Sequence, residues 1–154
     1  MRKIINNLIV LFVCANVFGQ KQANVWYFGD AAGVDFNGST PVPLTDGQMY
    51  TNEGCSTISD EDGNLLFYTD GDTIWSKNHA VMQNGTGLKG STTSTQSSII
   101  VSNPVKDSIY YVFTVDGSGS GLFDGVNYSE VNINANGGLG QVTTVSYTHL
   151  RCRR

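Results

Sequence analysis

Apolar and polar residues alternate over short stretches along most of the chain, and Gly, Asn, Asp, Ser and Thr crowd between those stretches. Period-two alternation bounded by turn residues predicts β-strands joined by tight turns. The first strand is expected over Asn24 to Phe28 and is closed by Gly29-Asp30. A second is expected over Gly33 to Phe36, closed by Asn37-Gly38. Cys55 to Ser59 leads into Asp60-Glu61-Asp62-Gly63-Asn64, which is turn chemistry, and Leu65 to Thr69 returns as its partner. Asp70-Gly71 turns the chain toward Thr73 to Ser76, with a further strand expected over His79 to Met82. The Gly-, Ser- and Thr-rich stretch from Asn84 to Gln96 reads as a loop. Ser98 to Ser102 and Ile109 to Val115 form a second hairpin across residues 103–108. Asn127 to Ile133 is the last expected strand, followed by a turn at Asn136-Gly137-Gly138. No stretch after residue 19 has the 3.6-residue apolar spacing of a helix, so the predicted fold class is all-β.

The first nineteen residues break this pattern. Met1, Arg2 and Lys3 give a positive start, and Leu8 to Ala15 is an unbroken apolar run. Val17 and Gly19 then stand at −3 and −1 of a cleavage point. Charge, short apolar core and small cleavage residues are the parts of a secretory signal peptide. The run is too short for a bilayer span, which needs about 20 apolar residues. No stable membrane span is therefore expected once residues 1–19 are removed. A lipoprotein signal would use Cys14, but Val13 before it is bulkier than the small residue such a signal carries.

Charge narrows the partners. The formal charge of −4 becomes −9 once the five positive charges of Arg2, Lys3, Arg151, Arg153 and Arg154 are set aside. Only Lys21, Lys77, Lys89 and Lys106 remain, and they are scattered. Phosphate contacts require clustered basic residues, so nucleic acid is excluded as the expected partner. Cys55 is the one cysteine between the signal and the last ten residues, which leaves no internal disulfide framework there.

An internal repeat is visible. Thr57-Ile58-Ser59, a turn, Leu65 to Thr69 and Asp70-Gly71 match Ile100-Val101-Ser102, a turn, Tyr110 to Thr114 and Asp116-Gly117. A spacing of about 40–50 residues with about four strands per unit is a propeller signature; two hairpins of a β-sandwich are the other reading. The strings Trp26-Tyr27-Phe28-Gly29, Glu53 to Asp60, Gly63 to Gly71, Ile74-Trp75, Asn78-His79, Ser97 to Val101 and Gly137 to Gly140 lie within residues 24–144. They resemble the N-terminal region of large secreted Bacteroidetes proteins. That resemblance implies a β-propeller, here two to three blades over residues 20–144. It also implies PKD or other Ig-like domains downstream and a C-terminal sorting domain for type IX secretion of the gliding-motility-associated kind. Most such proteins carry no assigned activity, so the resemblance implies an exported, non-enzymatic binding or adhesion module. A chain lacking the sorting domain would stop in the periplasm. An incomplete ring would leave unpaired strand edges at its ends. Residues 145–154, with three Arg in the last four positions, resemble translated sequencing-adapter read-through; a genuine basic tail is the other reading.

Candidate chemistry is sparse. Asp60 to Asn64 lacks the spacing of a calcium loop, because Gly63 comes too early and no Glu follows at the required distance. It reads instead as a degenerate Asp-box turn. Asp70, Asp72 and Asp116 sit in hairpin turns, and nothing in the sequence sets two of them at glycosidase separation. His79 lacks partners for a transition-metal site, and a Cys55–His79 dyad has no supporting spacing. The Ser/Thr run from Ser91 to Ser98 contains no nucleophile-elbow motif. No catalytic residue, metal or cofactor is expected. Trp26 and Trp75 are the candidate contacts for a surface ligand, carbohydrate or protein, although aromatics on period-two strands usually pack in a core. A secreted glycan-active enzyme, the glycan-binding propeller of one, and a passive structural spacer are the alternative functions.

Overall fold

The computed structural model describes residues 20–117 and 125–146. Residues 1–19, which read as a signal peptide and hold Cys14, and residues 147–154, with Cys152, lie outside the described residues. The chain is all-β: ten strands in three antiparallel sheets, with one 3-10 turn at Asn136–Gly138 among the described residues.

Sheet 1 contains β1 (Val25–Phe28), β2 (Ala32–Asp35) and β3 (Val42–Leu44). Sheet 2 contains β4 (Ser56–Ser59), β5 (Leu65–Thr69) and β6 (Ile74–Ser76). Sheet 3 contains β7 (Ser98–Ser102), β8 (Ile109–Val115), β9 (Val126–Asn132) and β10 (Gln141–Ser146). Each is a meander whose strands pair in chain order, which short turns make natural. No closed sheet forms among the described residues.

β3 was not expected, because Val42-Pro43-Leu44 has no alternation to read and Pro43 argues against an interior strand. β3 is an edge strand, where a missing N–H is tolerated. The strand expected over His79 to Met82 is absent. His79 takes a positive φ of 61°, and its N–H closes a turn onto the Ser76 carbonyl. Only single bridges remain, Trp75 with Val81 and Gln83 with Gln141. β10 continues through Val145 and Ser146, which pair with Ser129 and Tyr128, so the strand passes the boundary expected at residue 144.

The sheets stack through their faces. Directly paired residues share a face, so Thr57, Tyr68 and Trp75 of sheet 2 point together. They meet sheet 1, where Val25 and Tyr27, with Met49 from the segment after β3, complete a buried cluster with Tyr68. The opposite face, with Ile58, Phe67 and Ile74, packs on Tyr110, Val112, Val131 and Val142 of sheet 3. The first strands of the sheets are tied by hydroxyls. Thr57 Oγ1 accepts from the Tyr27 N–H at 2.9 Å and donates to the Tyr27 carbonyl at 3.1 Å. Ser56 Oγ donates to the Ser98 carbonyl at 2.7 Å. Gly54 lies so close to Gln96 and the Ser97 amide that an added Cβ would have no room.

The sequence repeat survives as two hairpins, but its residue match divides. Thr69 pairs Ser56 and Thr114 pairs Ser98, and Ser56 and Ser98 touch. The matched threonines therefore sit on faces turned toward each other. Units related by rotation about an axis would instead match Thr57 with Ile100 and Tyr68 with Val112, cross-strand pairs that each face the preceding sheet. The first-strand half of the repeat satisfies that relation. The second-strand half is one residue out, and the register shift between Ile58 and Ser59, which passes over Leu66, is where the two hairpins differ.

Candidate functional site

The alternation of β1 sends Val25 and Tyr27 inward and leaves Trp26 and Phe28 outside. Trp26 is 51% exposed. Its ring is fixed, because Nε1 donates to the Ala23 carbonyl at 2.7 Å and its face meets the Phe36 edge at 5.1 Å and 61°. Beside it a groove of about 300 Å³ is lined by Trp26, Tyr27, Phe28, Cys55, Ser56 and Thr57. The ledge thus combines aromatic faces with hydroxyls.

Trp75 does not join it. Its ring stacks on Tyr68 at 5.5 Å and 12°, half-buried on the face of sheet 2 that meets sheet 1. Trp26 is on the far face of sheet 1, so that sheet stands between the two indoles. The two tryptophans expected to share one ligand surface are placed apart.

The structure gathers a polar relay that sequence reasoning missed. Tyr27 Oη donates to Asp46 Oδ1 at 2.7 Å. The other Asp46 oxygen lies 3.3 Å from His79 Nε2, and His79 Nδ1 lies 3.2 Å from Tyr68 Oη. Tyr68 Oη also accepts the Gln48 N–H at 3.0 Å. Burial, then the Asp46 bond, pushes the Tyr27 phenol well above its ordinary value; burial also raises Tyr68. A triad-like order of groups invites a catalytic reading. Tyr68 is fully buried, however, and offers no surface to a substrate. The relay instead pins the segment after β3 across sheets 1 and 2. The one signal for it was an Asp in the connection between β3 and β4, which spacing alone could not pair with His79.

The remaining candidates are structural. Cys55 donates its thiol to the Tyr27 carbonyl at 3.6 Å, and burial, then Asp70, raises it above the ordinary thiol range. Both His79 nitrogens face Asp46 and Tyr68, so the Cys55–His79 pair does not form a dyad. Asp60 binds its own turn, accepting from the Asp62 and Asn64 amides and from Asn64 Nδ2. Asp70 does the same for the Asp72 and Thr73 amides. In the Ser91 to Ser98 loop, Ser91 and Thr93 bond each other and Ser97 Oγ bonds the Gly54 carbonyl. A groove of about 650 Å³ separates this loop from Ile99, Phe113 and Val115 on the outer face of sheet 3. No group of three His, Cys, Asp or Glu suited to a metal ion occurs among the described residues. No helix among them is long and apolar enough to cross a membrane.

Two carboxylates set an acid limit. The Tyr27 hydroxyl holds Asp46 below the usual carboxylate range. Partial burial raises Asp60, but the bonds from Asn64, Asp62 and Gly63 outweigh it and hold it low as well. A folded-state pKa below the unfolded one adds stability above the unfolded value, which is lost as pH falls through the folded value. Thermal midpoints should therefore drop below about pH 4. The Asp46→Asn/Asp60→Asn variant should show a flatter acid limb; an equally steep one would contradict the assignment.

Comparison with family models, curated proteins and solved structures found no match to this chain. The fold and site define a class and nothing narrower: an all-β stack of antiparallel meanders carrying an exposed aromatic ledge.

Proposed function

We propose that this chain is an exported, non-enzymatic binding module whose three sheets are consecutive propeller blades of a larger surface protein. The observation that carries the binding reading is the fixed, half-exposed Trp26 ring above a hydroxyl-lined groove. An exposed aromatic face suits the C–H face of a sugar ring, while the Ser56 and Thr57 hydroxyls of the groove are already bonded to Ser98 and Tyr27. The blade reading is supported by three successive meanders whose first strands lie side by side, and by the rotational match of Thr57 with Ile100. Export and a periplasmic or surface location rest on the sequence of residues 1–19 and on the resemblance to secreted Bacteroidetes proteins.

A glycan array tests the ledge. Trp26→Ala should abolish saccharide binding with melting unchanged, since the ring is exposed. Trp75→Ala should lower the melting temperature instead, because its ring lies in a stack. Unaltered glycan binding in Trp26→Ala would rule out the ledge as the site.

A further inference from the structure

The outermost sheet of a stack ordinarily turns polar residues to water, because alternation gives an antiparallel sheet one buried and one wetted face. Sheet 1 does not. Trp26, Phe28, Ala32, Val34, Phe36 and Pro43 share its far face, and all six are apolar. Sheet 3 repeats this at the other end of the stack. Ile99 and Val101 pair with Phe113 and Tyr111, and Phe113 pairs with Tyr128, so these five point away from sheet 2. Glu130, opposite Tyr111, is the one charged residue in register with them among the described residues, and no Lys or Arg stands on any strand of either sheet. Trp26, Phe28, Phe36, Ile99, Val101 and Val115 are all more than a third exposed. Apolar surface gathered on two faces in this way marks contact surfaces.

The chain shows twice what covers a face of this kind. The Tyr27 face of sheet 1 lies on the Tyr68 face of sheet 2, and the Phe67 face of sheet 2 lies on the Val112 face of sheet 3. Each contact sets the forward side of one sheet on the backward side of the next. Side chains tie the first strands together at both, Thr57 to Tyr27 and Ser56 to Ser98. The two sides left over, the Phe113 face of sheet 3 and the Trp26 face of sheet 1, are the halves of one more such contact. Sheet 2 stands between them, so they meet only through a second molecule.

We propose that these faces dock copy to copy: sheet 1 of one molecule lies on sheet 3 of the next and continues the stack. The contact is heterologous, so it either closes into a ring or extends into a chain. The sheet 1 face has three strands about 4.8 Å apart, with about 3.4 Å per residue along four-residue strands, and so covers roughly 200 Å². A stable dimer buries about 800 Å² a side, so this association is weak and needs concentrated protein. The inference rests on the two internal contacts and not on sugar binding; a saccharide held on Trp26 would compete with the second copy.

Sedimentation velocity of the full chain from about 10 µM to about 1 mM tests it, a range that spans weak association. The average mass should rise with concentration. Trp26→Glu/Phe28→Glu spoils the sheet 1 face and Ile99→Glu/Val101→Glu the sheet 3 face, and either variant alone should stay monomeric. Mixed in equal amounts they should form a one-to-one dimer, because the first keeps its sheet 3 face and the second its sheet 1 face. Tyr50→Glu/Val105→Glu changes exposed residues on neither face and should associate like the wild type. Dilution of the wild type should shift the NMR amide signals of β1, β2, β7 and β8 and leave β5 unmoved, a readout that needs no variant to fold. A monomer at every concentration, self-association of either single-face variant, a monomeric mixture of the folded variants, or dilution shifts centred on β5 would overturn the proposal.

Discussion

Phe67→Ala should lower the stability of the folded chain by about 3–5 kcal/mol. Phe67 is fully buried on the face of sheet 2 that packs on sheet 3. Its ring meets the Tyr110 edge at 86°, and Ile74, Val112, Val131 and Val142 complete the cluster. Truncating a buried Phe costs about 3–5 kcal/mol, the lost transfer term plus the cavity left behind. A small domain holds about 5–15 kcal/mol in total, so this one change removes a large share. Sheets 2 and 3 cannot easily collapse into the void, because the Ser56–Ser98 contacts and the Val142 N–H bond to the Gln83 carbonyl fix their separation at two places. Phe67→Leu should cost far less, about 1.5 kcal/mol, since most of the volume stays. Urea melts should show the midpoint falling in that order with little change in slope. A Phe67→Ala midpoint within the error of the wild type would mean that sheets 2 and 3 do not share a core.

The hairpins were legible in the sequence because both their signals are local. β5, β7 and β8 fall where alternation and the Asp-Gly and Asn-Pro turns put them. β3 was missed because three residues with a central Pro carry no period. The His79 to Met82 segment misled because an apolar stretch next to a strand looks like another strand. Only the positive φ at His79 shows that the chain turns there, and a single His marks such a turn far less plainly than a Gly does. The site divides along the same line. Exposure of Trp26 follows from the alternation of β1 and its place on an outer sheet, but which of two faces is covered is a tertiary fact. Trp75 obeys the same alternation and is covered because sheet 1 lies on it. The relay of Tyr27, Asp46, His79 and Tyr68 joins four segments, and nothing local links them.

That relay carries the second large effect, because removing Tyr68 tests stacking and hydrogen bonding separately. Tyr68→Phe keeps the ring between Tyr27 at 4.7 Å and Trp75 at 5.5 Å. It deletes the hydroxyl that accepts the Gln48 N–H and faces His79 Nδ1. The Gln48 N–H left behind is only partly buried, so the expected loss is about 1 kcal/mol, the lower end for an orphaned donor. Tyr68→Ala removes the ring as well and should cost about 3–5 kcal/mol, the scale of a buried aromatic. The difference belongs to the stack that holds sheet 1 on sheet 2. Because Gln48 and Asp46 lie on the segment after β3, Tyr68→Phe should also raise amide exchange at Gln48 and at Ala31, whose N–H bonds the Met49 carbonyl, while leaving β8 and β9 protected. Unchanged exchange at Gln48 and Ala31 would show that the Met49 side chain, fully buried in the same cluster, holds the segment without the relay.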